Sequence, residues 1–203
     1  MFEVYAYLTS EGFAITTTFA HGHSFLGVMD PFLQQIFLDI SNVTSFFNQG
    51  FRMAPHVLHE TILSVGYRLL RYQIIAGPLV GTKLESVAHI ALTALLTTLF
   101  LQIGRRRFLQ YGLVGQHLKD IVDSGLDGED PEVVLWLLFL GGISVVSERD
   151  ESWLSRRIKE TARSAGLQNW ASLHNSLVQF PWIGSLHDID AERLWYSSGT
   201  GVL

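Results

Sequence analysis

The sequence predicts an all-α fold, a single domain of seven or eight helices packed around an apolar central helix. Apolar residues recur at intervals of three and four along most of the chain, which is the spacing of one helical face. Proline and glycine signals divide these stretches into helices with short connections. We find no convincing pair of strands and no internal repeat, so we expect one helical domain at 27–203 after an irregular segment at 1–26.

The composition agrees with a globular chain that needs no covalent cross-link. Of its 203 residues, 48% are apolar and 16% are charged, so intrinsic disorder is excluded as the dominant state. The absence of cysteine excludes a disulfide framework, a cysteine nucleophile and every cysteine-based zinc or iron–sulfur site. A net charge of -5 argues against docking of the whole chain on phosphates or on an anionic membrane.

Local signals mark where the helices begin. Asp30-Pro31 and Asp130-Pro131 each combine a capping aspartate with proline at the first helical position. Thr82-Lys83-Leu84-Glu85 is a capping box, in which the threonine and glutamate side chains satisfy amides at the helix start. On this basis we predict helices at 32–47, 55–76, 82–103, 105–122, 133–146, 148–164 and 170–179, and a last turn near Leu194.

The segment at 133–146 is apolar on all sides, which predicts burial at the centre of the fold. Gly141 and Gly142 interrupt it at a cost of about 1 kcal/mol each relative to alanine, so we expect a neighbouring helix backbone to pack closely there. Near the C-terminus we expect irregular structure at 182–187, with Asp188 or Asp190 capping the last turn.

The apolar segments at 87–103 and 133–146 raise a first alternative, an integral or peripheral membrane protein built from helices. A membrane-spanning helix needs about 20 predominantly apolar residues. The first segment contains His89 and several threonines, and the second is too short. Buried core helices are therefore the better interpretation, and no signal peptide is visible.

A second alternative is a small-molecule-binding or metal-dependent enzyme that uses His56, His59 and Glu60. The two imidazoles lie one helical turn apart with a carboxylate beside them, but the order does not match the known helical zinc motifs. Exposed histidines after a proline are the favoured interpretation. A nucleophile elbow of the form G-x-S-x-G is also missing, so we predict no catalytic residue, metal or cofactor.

A narrow polar stripe marks the helix predicted at 82–103. Ser86, His89, Thr93 and Thr97 follow one another at spacings of three, four and four, so they share one face of an otherwise apolar helix. Such a stripe, together with Trp136, could line a pocket for a small effector. The favoured interpretation is that the threonine hydroxyls bond to carbonyls one turn earlier and that the histidine has one core partner.

Several blocks, taken in order, resemble the fungal-specific transcription factor domain. The C-terminal blocks are the most distinctive, and the similarity covers 78–195 well and 27–71 more loosely. The blocks are Pro78-Leu79, Leu84-Glu85, Ala91-Leu92-Thr93 to Thr98-Leu99-Phe100-Leu101-Gln102, Leu135-Trp136-Leu137-Leu138-Phe139-Leu140-Gly141-Gly142-Ile143, the segment at 153–163, Gln179-Phe180-Pro181-Trp182-Ile183, Leu186-His187-Asp188 and Leu194-Trp195.

The resemblance implies a helical, non-catalytic, nuclear regulatory domain that responds to small effectors or to other transcription-regulatory proteins. Members of this family bind DNA through a separate cluster in which six cysteines hold two zinc ions, and this chain has no cysteine. We therefore expect the chain to correspond to the regulatory part alone and to make no direct contact with nucleic acid. The sequence leaves a homodimer open, and we expect a partner surface at any exposed tryptophan among Trp170, Trp182 and Trp195.

Overall fold

The computed structural model describes residues 26–76, 82–104, 112–126 and 128–199. Within these ranges all regular structure is helical and no strand occurs, so the predicted all-α class is confirmed. Single 3-10 turns lie at Leu26–Val28 and Glu148–Asp150. The α-helices are α1 (Pro31–Asn48), α2 (Pro55–Ala76), α3 (Lys83–Gly104), α4 (Gly112–Asp123), α5 (Pro131–Ser144), α6 (Glu151–Ser164), α7 (Trp170–Leu177) and α8 (Gly184–Ser197).

The start signals of α1, α3 and α5 act as the sequence predicts. The carboxylates of Asp30 and Asp130 accept hydrogen bonds from backbone amides in the first turns of α1 and α5. In the capping box, the Thr82 amide donates to Glu85 Oε2 at 2.7 Å, and the Glu85 amide donates to Thr82 Oγ1 at 3.2 Å. Glu85 Oε1 also accepts from the Asp30 amide at 2.7 Å, so one buried carboxylate connects the starts of α1 and α3.

Helix α5 occupies the centre of the fold, as predicted. Residues 133–141 are all buried, and α5 packs against α3, α6, α7 and α8. Burial on all sides explains why this segment carries no polar face. The predicted helix at 105–122 is observed only as α4 from Gly112, because residues 105–111 lie outside the described part of the chain, as do residues 1–25 of the predicted irregular segment.

The glycine pair in α5 accommodates side chains and not, as we expected, a neighbouring backbone. A Cβ atom on Gly142 would lie 2.6 Å from Leu194 Cδ2 and 2.7 Å from Leu154 Cδ2. A Cβ atom on Gly141 would collide with the Leu118 side chain. Leucines from α4, α6 and α8 therefore fill the space that the two glycines leave.

The predicted irregular structure at 182–187 is wrong, because α8 already begins at Gly184. Asn48, at the end of α1, holds this start: its Nδ2 donates to the Trp182 carbonyl at 2.7 Å, and its Oδ1 accepts from the Gly184 amide at 3.0 Å. Asp188 and Asp190 both lie inside α8, so neither caps its start; Asp188 accepts from Trp182 Nε1 at 2.8 Å. The side-chain amide of Asn48, which is distant in sequence, thus replaces the local cap that we expected.

Two glycines outside α5 give opposite predictions for alanine substitution. Gly66 lies within α2, where a Cβ would have only Leu96 Cδ1 near it, at an ordinary 3.8 Å. Gly66→Ala is therefore expected to raise the free energy of unfolding by about 1 kcal/mol, the helix propensity difference. A Cβ on Gly115 would lie 2.6 Å from the Val145 carbonyl oxygen, so Gly115→Ala is expected to lower the free energy of unfolding by about 1–3 kcal/mol.

Urea denaturation followed by circular dichroism measures both changes on the same baseline. A decrease for Gly66→Ala would show that the space beside α2 is already filled. An increase for Gly115→Ala would show that α4 and the end of α5 do not pack as closely as the structure places them.

Candidate functional site

A cavity of about 590 Å³ lies between α2, α3 and α4. This volume falls within the range of small-molecule sites in proteins, which are mostly apolar with few polar groups. The apolar side chains of the lining are Leu69, Leu70, Ile90, Leu96, Leu113 and Val114, and the polar ones are His89, Thr93, Thr97 and His117, with Gly66 completing the wall.

Three of the four residues of the predicted polar stripe line this cavity. His89, Thr93 and Thr97 lie on the face of α3 that turns toward α2 and α4, whereas Ser86, one turn earlier, is not part of the lining. The sequence pattern therefore predicted one wall of the cavity. It did not reveal that α2 and α4 supply the rest.

The two threonine hydroxyls of the stripe are satisfied within α3. Thr93 Oγ1 donates to the His89 carbonyl at 2.8 Å, and Thr97 Oγ1 donates to the Ala94 carbonyl at 2.7 Å. This is the bonding pattern that we favoured from the sequence. Each hydroxyl oxygen keeps lone pairs after donating, so both threonines can still accept a hydrogen bond.

His89 is the central polar group of the lining. Its Nε2 lies 3.0 Å from the Leu69 carbonyl oxygen, which can only accept, so Nε2 carries the proton. Burial lowers the pKa of His89, opposed by this hydrogen bond and reinforced by the nearby His117. The ring is therefore held neutral at pH 7, packed against Tyr72 at 5.7 Å between ring centroids, and its Nδ1 is an acceptor.

The edge of the cavity is apolar and exposed. Leu70 on α2 is 63% exposed and Leu113 on α4 is 89% exposed, and both line the cavity. His117 is also exposed. No lysine, arginine, aspartate or glutamate belongs to the lining that the described residues form. The cavity thus combines an apolar wall and an accessible edge with a small number of neutral polar groups.

Trp136, which we grouped with the stripe, lies elsewhere. It is fully buried on α5, where its Nε1 donates to the Pro181 carbonyl at 3.1 Å. Its ring stacks on Phe180 with the centroids 5.3 Å apart and meets the edge of Phe37 at 5.8 Å. This residue therefore holds the C-terminal segment on the core and does not line the cavity.

The structure also separates the other candidate residues from any site. His56, His59 and Glu60 are all exposed at the start of α2. Within the described ranges, no three histidine, aspartate or glutamate side chains come together in a way that could hold a metal ion. Trp182 and Trp195 are fully buried, which leaves the partly exposed Trp170 as the one of these three tryptophans at which the expected partner surface can lie.

Sequence reasoning missed the role of His187, which is 1% exposed on α8. Its Nδ1 accepts from the Ile183 amide at 3.1 Å, so the proton resides on Nε2, which donates to Thr98 Oγ1 at 2.9 Å. Burial lowers the pKa of His187 to about 3. The ring is a neutral structural connection between α8 and α3, and no periodicity in the sequence points to its partner.

Comparison with known proteins gives no independent assignment. The chain matches no family model, no curated protein and no solved structure. As to the membrane alternative, no helix in the described part of the chain has both the length and the apolarity that crossing a bilayer requires.

Proposed function

We propose that this chain is a non-catalytic regulatory domain of a fungal transcription factor and that a small effector binds between α2, α3 and α4. The domain would act in the nucleus through other transcription-regulatory proteins or a second copy of itself, without contacting DNA. The observation that carries the proposal is the 590 Å³ cavity, whose polar wall is formed by His89, Thr93 and Thr97 of α3, a helix that carries several of the blocks that resemble that family.

The arrangement of the other resembling blocks supports the proposal. The block on α5 contacts α3, α6 and α8, each of which includes a further block. The hydrogen bond from Trp136 to the Pro181 carbonyl connects the block on α5 directly to one of the most distinctive blocks. The described blocks on α3, α5, α6 and α8 thus contribute side chains to one continuous core.

The chemistry of the lining favours binding over catalysis. The two threonine hydroxyls are committed to carbonyls of their own helix, and the His89 ring is held by the Leu69 carbonyl. A nucleophile needs an adjacent base, and a general base needs access to the proton that it removes. No base is hydrogen-bonded to either of these hydroxyls, so the described lining holds no activated nucleophile, which favours a cavity that holds a molecule without transforming it.

A reporter fusion tests the regulatory role. Fused to a heterologous DNA-binding module, the full chain is expected to change reporter output relative to the module alone. Leu70→Trp crowds the exposed edge of the cavity without entering the core, so it is expected to alter that output. The matched control is Leu63→Trp, an exposed leucine on the same helix that does not line the cavity.

Two results would contradict the proposal. One is a fusion whose output equals that of the module alone. The other is tight, sequence-specific DNA binding by this chain without the module, measured by electrophoretic mobility shift at physiological salt, because the proposal gives the chain no direct role in reading DNA.

A further inference from the structure

The polar wall that α3 contributes to the cavity offers acceptors to a ligand, because its donors are already paired. Thr93 and Thr97 donate their hydroxyl protons to carbonyls of α3, and the protonated ring nitrogen of His89 donates to the Leu69 carbonyl. The atoms of these three side chains that remain available to a ligand are the two hydroxyl oxygens and one ring nitrogen, and all three atoms are hydrogen-bond acceptors. A ligand group that can only accept finds no donor on this wall.

The charge of the lining further restricts the chemical class of the ligand. Among the described residues, no lysine, arginine, aspartate or glutamate lines the cavity, and the lining imidazoles are those of His89 and His117. A carboxylate or phosphate would lose its hydration against acceptors and apolar carbons, which is costly without a partner. An ammonium group would lack a carboxylate to pair with it. The part of the lining that the structure describes thus disfavours ionised ligands of either sign.

From this donor balance we infer that the cavity selects an uncharged, mostly apolar ligand carrying a hydroxyl that donates to Thr93 or Thr97. The inference rests on the proposed function, because it specifies the effector of the same cavity. The apolar part of the ligand packs against the six apolar side chains of the lining, and the hydroxyl meets the polar wall of α3. The acceptors therefore orient the ligand, and burial of its apolar part against the apolar wall provides most of the binding affinity.

Three probes of similar size separate the relevant chemistries in isothermal titration calorimetry with the full chain. They are 1-decanol, its isomer methyl nonyl ether, which accepts but cannot donate, and decanoate, which is charged. We expect the alcohol to bind about fivefold more tightly than the ether, the value of one hydrogen bond. Decanoate is expected to bind at least about tenfold more weakly than the alcohol, since its charge is unpaired.

A double variant tests the two threonines. Thr93→Val with Thr97→Val keeps the shape and removes both acceptors, so decanol affinity is expected to fall to that of the ether, whose affinity stays unchanged. The matched control is Thr161→Val on α6, where a threonine makes the same bond, Oγ1 to the Arg157 carbonyl at 2.8 Å, outside the cavity. Circular dichroism of each variant confirms that the helices are retained.

The possible outcomes test separately the ligand class, the residues that recognise the ligand, and the proposed function. Equal affinity for alcohol and ether, or tighter binding of decanoate than of decanol, would overturn the ligand class while leaving the cavity as a binding site. A preference for alcohol that persists in the double variant would overturn the assignment to Thr93 and Thr97. Failure of all three probes to bind, with no response of the reporter to Leu70→Trp, would overturn the proposed function as well.

Discussion

Replacing Trp136 with alanine is expected to lower the free energy of unfolding by about 3–5 kcal/mol, the cost of removing a large aromatic side chain from a packed core. The ring is fully buried between Phe37 and Phe180, and its indole N–H satisfies the Pro181 carbonyl. The substitution removes the ring contacts, leaves a cavity beside α5 and deprives a buried carbonyl of its donor. Urea denaturation followed by circular dichroism measures the loss.

Two further variants show how much of this loss of stability comes from the hydrogen bond and how much depends on complete burial. Trp136→Phe keeps an aromatic ring beside Phe180 but loses the hydrogen bond, so a loss of about 1–3 kcal/mol is expected. Trp170→Ala removes a tryptophan that is only partly buried, and its effect is expected to be smaller than that of Trp136→Ala. Equal losses of stability for Trp136→Ala and Trp170→Ala would contradict the placement of Trp136 at the centre of the fold.

Acidification is expected to destabilise the fold through His187 well before carboxylates protonate. The pKa of His187 is about 3 in the folded state, against an ordinary value near 6.5 in the unfolded chain. Between these values the unfolded chain binds a proton that the folded protein excludes, so stability falls as the pH falls. From about pH 7 to about pH 5 this histidine is expected to lower the free energy of unfolding by about 2 kcal/mol.

Denaturation curves collected across this pH range test the assignment. His187→Gln removes the titrating group, so most of the pH dependence is expected to disappear, although the fold loses the hydrogen bonds to Ile183 and Thr98. His89, whose pKa is also lowered, accounts for a remaining slope of the same sign. The control is His59→Gln, an exposed residue that is expected to keep the wild-type profile, and a flat wild-type profile would refute the burial of His187.

The polar residues of α3 serve two parts of the molecule. Thr97 lines the cavity, whereas Thr98, the next residue, accepts from the buried His187 of α8. Successive positions on a helix point about 100° apart, so one helix can form a wall of the cavity and also contact the C-terminal helix. The central position of α5 against both α3 and α8 completes this arrangement.

The sequence alone determined the elements whose hydrogen bonds are local. Asp30, Asp130 and the Thr82–Glu85 box cap their helices with side chains two or three residues from the amides that they satisfy. The all-apolar segment of α5 could only be buried, and the spacing of His89, Thr93 and Thr97 placed them on one face. Such features follow from helix geometry, because every partner lies within about one turn.

Only the tertiary structure decided where the helices meet. Asn48 fixes the start of α8 from 136 residues away, and His187 finds Thr98 across 89 residues. Likewise, the stripe of α3 became a cavity wall only because α2 and α4 pack beside it, while Trp136 went to another face of the core. Periodicity tells which face of a helix is buried, but the choice of neighbour depends on how complementary side chains fit together, and no local spacing encodes that fit.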